Sequence, residues 1–581
     1  MTPTRDDTRQ TLRERPFDVL VIGAGITGAG IALDAAARGL SVAVLDKGDV
    51  ASGTSGWSTK LVHGGVRYLE QYDFPMVREG LRERYTLLKN APYLVHRLSF
   101  LYPVDGGPFA KLFVDAGLWL YDLLAGRRSL GLHHRLDAAA SAAGAPLRAP
   151  WDRGGFLYYD GQTDDTRLTL TTLLSAVARG AVVATYTEVV GFSKEGGRIS
   201  EARARDVLAA ENGGGGAEFP IRARAVINAT GVWMDRVQLL DDPAVATRVA
   251  PSKGAHIVVP AARLPVKGAV IMPRTSDGRV LFAVPWQGRV VVGTTDAAYA
   301  GDIDRPTAGA DEVAYILRHA NAYFGTGLTE DDIVATYAGL RPLIRAVNGG
   351  VSGGQDPGGQ DKPGGREGAV STKDVSRKHI VVTSPSGLVS VGGGKLTTYR
   401  VMAEDAVEAA LAATGLAAPH RANTANIPLA GTQGYTKLRA RADELAARYG
   451  VGLDVVRHLL DRYGANTTGV LDLIAERPAL AAPLAPGLAY VQAEAIYSAR
   501  HELVTTLEDI LARRTRLLLL DTAHGTGVAE AVAQLVAPEL GWDEGRIAAE
   551  VARYRDYARL AASGYTHSKQ AAGERVAAAA V

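Results

Sequence analysis

After a polar, charged stretch at 1–16, the chain reads FDVLVI (17–22), GAGITGAGIALDAAARG (23–39) and SVAVLD (41–46). The first and third are unbroken apolar runs. Between them glycine gives way to residues of helical pattern. Strands buried on both faces read this way, so the pattern predicts a βαβ unit. Helix-like segments follow to about Gly126, then an alanine-rich connection at 137–147. From Phe156 to about Gly301 strand signals dominate: GFLYY, AVVATYTEVVGF, RAVIN, GAHIVVP, VLFAVPW and RVVVGTT alternate with turn residues. They predict an antiparallel sheet that covers a ligand. ENGGGGAEF (211–219) reads as a hairpin tip. NGGVSGGQDPGGQDKPGGREG (348–368) is too polar and glycine-rich to bury a core and reads as a mobile loop. A last strand-to-helix unit spans 388–412, and helical spacing from about Gly434 predicts a separate helical C-terminal domain, roughly 430–581.

Length and composition narrow the class. A chain of 581 residues is too long for one ordinary core, and its 47% apolar and 22% charged residues suit a soluble globular protein. The net charge of +2 and the lack of a polybasic block argue against a nucleic-acid partner. Cysteine is absent, which removes disulfides, thiolate metal sites and cysteine nucleophiles, and no metal is expected. The N-terminus carries no apolar signal, so a cytoplasmic address is the default. No apolar run reaches the roughly 18–20 residues that span a bilayer. FAKLFVDAGLWLYDLL (109–124) comes nearest, with Lys111 and Asp115 inside it and Arg127 and Arg128 after it. A core-facing helix with its charges on the wet side is the expectation. The alternative is a helix lying on a membrane surface, with Trp119 and Tyr121 at headgroup level.

The candidate chemistry begins at Gly23, Gly25 and Gly28. They form G-x-G-x-x-G between strand and helix, where the backbone can approach a pyrophosphate at the positive end of the helix dipole. Asp46 ends the second strand, in position to bond a ribose. Two later stretches are built alike, an apolar run ending in small residues. One is AVINATGVW (225–233), with Ala229-Thr230-Gly231; the other is GLVSVGGGKLTTYR (387–400), with Gly392–Gly394 before a helix. A nicotinamide enzyme needs little beyond the first unit and its mirror half. A cofactor touched by the beginning, middle and end of the chain is the pattern of extended FAD. STKLVHGGVRYLE (58–70) adds two cations, an imidazole, bare backbone and a phenol soon after the first unit.

The segments VLVIGAGITGAGIALDAAARGLSVAVLDKGDVASGTS, STKLVHGGVRYLE, YYDGQTDDTRL, INATGVWMD, KGAHIVVP, TYAGLRPLI and GGGKLTTYR together resemble FAD-dependent glycerol-3-phosphate dehydrogenase of the aerobic, quinone-linked type. The resemblance covers most of 16–412 and reaches the helical end through HELVTTLEDILARRTRL; the stretch 348–368 departs from it as an insertion beside RPLI. It implies an α/β (α+β) chain. A glutathione-reductase-like FAD-binding Rossmann domain would carry a mixed or antiparallel substrate sheet, with a cap at about 75–130 and 240–345, and an all-helical C-terminal domain. It implies oxidation of sn-glycerol 3-phosphate to dihydroxyacetone phosphate, electrons passed to a membrane quinone, peripheral attachment at the cytoplasmic face of the inner membrane, and a homodimer.

Carried over residue by residue, the resemblance puts Arg67, Tyr68, His256, Arg341 and Lys395 at the substrate, with His63, His256 and Arg341 as catalytic candidates. Histidine titrates near neutrality and suits the proton acceptor, whereas an arginine base is chemically unattractive. His319 and His379 look like surface or core residues. The cofactor residues it implies are Gly23, Gly25, Ile26, Thr27 and Gly28; Asp46 and Lys47; Thr54, Ser55, Ser58, Thr59, Lys60, Leu61, His63, Gly64 and Gly65; Val189; Ala229, Thr230 and Gly231; and Gly393, Gly394, Lys395, Leu396 and Thr397. Three alternatives stay open at this point: a glycerol-3-phosphate oxidase using oxygen, an amine or amino-acid flavin oxidase, and a non-enzymatic flavin redox sensor.

Overall fold

The computed structural model describes residues 4–70, 72–211, 216–345, 378–421 and 423–579; the glycine-rich stretch 348–368 lies outside them. The strand Phe17–Ile22 pairs in parallel with Val42–Leu45 on one side and Phe219–Asn228 on the other. Val182–Ala184 and Leu388–Gly392 extend the parallel sheet outward, and Ile380–Thr383 closes one edge antiparallel. Helix Ile26–Ala37 packs between helices Asp165–Val177 and Tyr399–Thr414. The packing is close: a Cβ on Gly30 would sit 2.6 Å from the ring of Tyr399.

Two expectations change here. AVVATYTEVVGF and RAVIN belong to this first sheet rather than to the antiparallel cover. Val182–Ala184 and Phe219–Asn228 are parallel strands, and the hairpin Thr187–Glu195/Arg198–Asp206 hangs from the latter. Apolar periodicity marks a strand but not the sheet it joins. VHRLSFLYP, read among helical segments, is the strand Val95–Pro103. It pairs antiparallel with Gly155–Thr163 and parallel with Ala269–Met272.

Those strands are part of a ten-stranded, mostly antiparallel sheet. Its other half carries Val249–Pro260 between Arg289–Gly293 and Ala335–Ile344. From Tyr435 onward the chain forms a mostly helical C-terminal domain whose apolar faces pack on one another and on both sheets. Val456, Leu459 and Val470 join the cluster that holds Val19, Ile31 and Leu168. Leu507, Leu511 and Leu518 join Val258, Trp286 and Tyr337 of the second sheet. The C-terminal helices are a second layer on the shared core.

Helix Pro108–Ala125 reverses the expectation that its apolar residues face inward. Leu118, Tyr121 and Ala125 are buried, but Phe109 is 87%, Phe113 70% and Leu123 76% exposed. The outer face is itself apolar. No helix among the described residues is long and apolar enough to cross a membrane.

Candidate active site

A cavity of about 830 Å³ runs from the carboxyl ends of the parallel strands to the face of the ten-stranded sheet. This is the crevice where open α/β sheets take ligands. Gly23 has φ +107° and a Cβ there would lie 2.7 Å from the Ala229 carbonyl oxygen; one on Gly28 would lie 1.8 Å from that of Gly23. Glycine at both positions closes the turn. Gly25 caps the helix without a side chain, and the Ile26 N–H donates to Ser55 Oγ at 2.9 Å. Gly231, φ +58°, has open space where a Cβ would stand. Bare backbone at a helix N-terminus suits a pyrophosphate.

Asp46 lines the cavity and braces the turn, accepting the N–H groups of Ala24 (2.6 Å) and Gly48 (2.8 Å). Its two oxygens keep lone pairs for a ribose hydroxyl. Lys47 is engaged on the rim: it pairs with Asp304 and lies 4.5 Å above the Trp233 ring. Ile26, Thr27, Val189, Ala229, Thr230 and Gly231 also face the cavity. Gly28 does not; it serves the helix–strand contact. The donor set and the glycine cradle fit an extended dinucleotide.

The loop from Ser52 divides into two sides. Thr54, Ser55, Ser58, Thr59, Leu61, His63 and Gly65 line the cavity. Lys60, expected at the cofactor, does not. Its φ is +64°, it is fully buried, and its Nζ donates to both Asp165 oxygens (2.7 and 2.8 Å) and to the Gly56 carbonyl (3.0 Å). The same Asp165 accepts the N–H and hydroxyl of Ser58 at 2.9 and 2.7 Å, so a buried carboxylate pins the loop from behind. Arg516 completes the back, reaching Thr166 Oγ1 (2.6 Å), the Gly56 carbonyl (2.9 Å) and Asp165 (3.3 Å). Burial, with the positive charge of Arg516 added, pushes the Lys60 ammonium down to about 8. Gly64 is also turned away: its N–H donates to Asp160 at 3.2 Å, and a Cβ would strike the Tyr121 hydroxyl at 2.5 Å.

Arg67, Tyr68, Arg341 and Lys395 all line the cavity. Lys395 follows Gly393 and Gly394, both at positive φ, and its Nζ lies 3.6 Å from the centroid of the Tyr68 ring. Leu396 and Thr397 complete this segment's part of the wall. Arg341 donates to Asp296 (3.2 Å), Thr294 Oγ1 (3.2 Å) and the Thr295 carbonyl (3.2 Å). Its guanidinium lies across Gly254, where a Cβ would come within 2.6 Å of it. Arg67 has no carboxylate partner among the described residues.

His63 is in the cavity wall, its N–H donating to Thr397 Oγ1 at 3.3 Å. His256 is one layer back. It is buried, its Nε2 is 2.9 Å from Thr59 Oγ1, and its ring stacks on Tyr337 at 4.5 Å and 11°. Burial first, then the charges of Arg341 and Lys60, hold its imidazole well below the usual range, so it is neutral near pH 7. His319 meets Ser276 and His379 meets Asp405; neither lines the cavity.

Sequence reasoning missed a wall. Phe100, Tyr102, Tyr158, Ile271 and Phe282 also line the cavity, with Phe100 stacked on Tyr158 at 5.0 Å. The signal was available in the alternation Leu98, Phe100, Tyr102, but it lay in the stretch read as helical.

Residues 18–400 match the family described as FAD dependent oxidoreductase, and 422–547 match the C-terminal domain of alpha-glycerophosphate oxidase. Glycerol-3-phosphate dehydrogenase 2 of Mycobacterium tuberculosis is 40% identical, over 93% of this chain and 87% of its own. The mitochondrial glycerol-3-phosphate dehydrogenase of Homo sapiens is 36% identical, over 93% of this chain and 73% of its own. The solved structure of the glycerol-3-phosphate dehydrogenase from Bacillus halodurans, complexed with FAD, is 32% identical with a TM-score of 0.76. That likeness covers 96% of this chain and 97% of the other. With the glycine cradle, the cavity-lining carboxylate of Asp46 and matches along nearly the whole length, the chain belongs to the FAD-dependent oxidoreductases and, within them, to the glycerol-3-phosphate dehydrogenase family.

Proposed function

We propose that the protein oxidises sn-glycerol 3-phosphate to dihydroxyacetone phosphate and passes the electrons to a membrane quinone. The observation that carries this reading is Arg67, Arg341 and Lys395, distant in the chain, lining one cavity with the glycine cradle. A phosphate dianion needs such cations, and forked guanidinium groups grip it with fixed geometry. Gly254 keeps Arg341 in place, and Tyr68 steadies Lys395 through its ring face. Bound FAD supplies the hydride acceptor. The chain supplies the proton path: Thr59 takes the proton of the substrate hydroxyl as its own passes to the neutral Nε2 of His256.

The outer face of helix Pro108–Ala125 supports peripheral attachment. Phe109, Leu112, Phe113, Trp119 and Leu123 are exposed along it, and Arg127 and Arg128 follow at its end, a pairing suited to an anionic lipid surface. The cytoplasmic face of the inner membrane and a homodimer complete the reading. Flotation with anionic vesicles should carry the protein up, and Phe113→Glu with Leu123→Glu should leave it at the bottom. A native protein that stays at the bottom in low salt removes the attachment, and a monomer by light scattering removes the dimer.

The test of the activity is spectral. Under anaerobic conditions glycerol 3-phosphate should bleach the bound flavin, and a quinone should restore its colour. A spectrum that glycerol 3-phosphate leaves unchanged overturns the reading. Colour restored by air but not by quinone makes oxygen the acceptor, the chemistry named in the C-terminal match.

A further inference from the structure

The segment 299–309 belongs to the substrate side of the molecule. It leaves the short strand Ala297–Ala298, which pairs with Ser252–Lys253, and enters helix Ala310–Tyr323, whose inner face joins the core of the ten-stranded sheet. Both of its ends are tied to that sheet. The Tyr299 N–H donates to the Pro251 carbonyl at 2.9 Å, and Lys253 Nζ donates to the Thr307 carbonyl at 3.1 Å. Lys253 also pairs with Glu312 at 2.8 Å. Just upstream, Thr294, Thr295 and Asp296 hold Arg341.

One side chain of this segment crosses to the dinucleotide side. Asp304 accepts the indole N–H of Trp233 at 2.7 Å, the guanidinium of Arg236 at 2.9 Å and the ammonium of Lys47. The donors come from two places. Lys47 follows the second parallel strand and Asp46, whereas Trp233 and Arg236 follow Thr230 and Gly231. All three donors line the cavity, and Asp304 stands outside it. Among the described residues no other carboxylate pairs with Lys47 or Arg236. The Trp233 ring is held on two sides, with Lys47 4.5 Å above it and Gly53 so near that a Cβ would lie 2.8 Å from the ring. Burial opposes the charge on Asp304, but the hydrogen bonds from Lys47 and Arg236 outweigh it and keep the carboxyl below its usual range.

We propose that Asp304 is the clasp of the cofactor cavity, a positioning residue that holds Lys47, Trp233 and Arg236 closed over the glycine-cradle end so that FAD leaves only when the clasp opens. A single carboxylate anchored on the substrate sheet thereby locks the two halves of the molecule together at the cofactor. The proposal concerns retention of FAD and stands whichever alcohol the flavin oxidises. The side chain of Asp304 is 37% exposed, so each contact alone is weak and the three together carry the effect.

The test is the rate at which the FAD-loaded full chain releases FAD after dilution, followed by rapid gel filtration. Asp304→Asn keeps the shape and loses the charge, and should speed release about five- to tenfold at low salt. Trp233→Phe keeps a ring and loses one donor, and should speed it about two- to threefold. High salt should bring native release up towards that of Asp304→Asn and leave the variant little changed. Lys47→Met combined with Asp304→Asn should release FAD no faster than the faster of the two single variants, because both break the same contact. Native and Asp304→Asn proteins releasing FAD at one rate in low salt would overturn the clasp. So would effects of Lys47→Met and Asp304→Asn that simply multiply, or equal salt dependence in the native and Asn proteins.

Discussion

Two groups of cations lie on opposite sides of the loop that begins at Ser52. Arg67, Arg341 and Lys395 line the cavity. Lys60, Arg513, Arg514 and Arg516 lie behind the loop, all buried and all held by carboxylates. Arg513 and Arg514 share Asp49, just ahead of the loop, from the π-helical turn Asp509–Arg514. The side chains are of the same two kinds, but the work differs. A cation that meets solvent in a cavity can exchange water for a ligand phosphate. A buried cation is committed to its carboxylate, because either partner alone would be an uncompensated charge in a poor solvent. The back network therefore binds the C-terminal layer to the cofactor loop and fixes where Ser58 and Thr59 stand.

The sharpest way to break the contrast is on the buried side. Asp165→Ala strands Lys60 and Arg516 and should cost about 3–5 kcal/mol, read as a large fall in the thermal midpoint of the FAD-loaded protein. A midpoint unchanged within error would show that these charges are solvated after all. On the cavity side, Arg341→Ala should leave the fold intact. It should raise the KM for glycerol 3-phosphate about 10- to 100-fold, the loss of charged hydrogen bonds of about 1.5–3 kcal/mol. A fall in kcat at constant KM would remove its anchoring role. Thr59→Val deletes the proton path to His256 and should lower kcat about a hundredfold or more, the scale of general-base catalysis. The same substitution leaving kcat unaltered would take Thr59 out of the proton path.

The pH profile is the gentlest test. A base works only when deprotonated, and burial with the charges of Arg341 and Lys60 lowers the His256 pKa. Activity should therefore persist as pH falls through 6.5, with the acid limb of kcat/KM well below that value. The same sign applies to stability, since the unfolded chain binds the proton first and stability falls as pH drops below 6.5. An acid limb at or above 6.5 would exclude His256 as acceptor and favour the cavity-lining His63.

The dinucleotide end was legible because its chemistry is local: glycines at 23, 25 and 28, a strand before, a strand and Asp46 after. The resemblance also named Arg67, Tyr68, Arg341 and Lys395, and all four line the cavity. What the sequence hid depends on burial and on partners far along the chain. Lys60 sits beside the cofactor segment, yet the positive φ that turns it inward and its partner Asp165 are tertiary facts. Gly64 reads like Gly65, but Tyr121 and Leu81 pack against the space a side chain would take. The strand Val95–Pro103 was missed because its alternation is interrupted by His96 and Arg97 and flanked by helices. The apolar run at 109–124 allowed a core-facing helix or one lying on a surface, and only the packed structure turned Phe109, Phe113 and Leu123 outward.

If Arg67, Arg341 and Lys395 grip a phosphate, they select a phosphate-bearing alcohol for the flavin. Anaerobic stopped-flow reduction comparing glycerol 3-phosphate with glycerol tests it most directly. Glycerol 3-phosphate should bleach the flavin rapidly and glycerol, at equal concentration, at least about a hundredfold more slowly, since the charged hydrogen bonds to phosphate are lost. Equal rates for the two alcohols, or bleaching by neither, would contradict it.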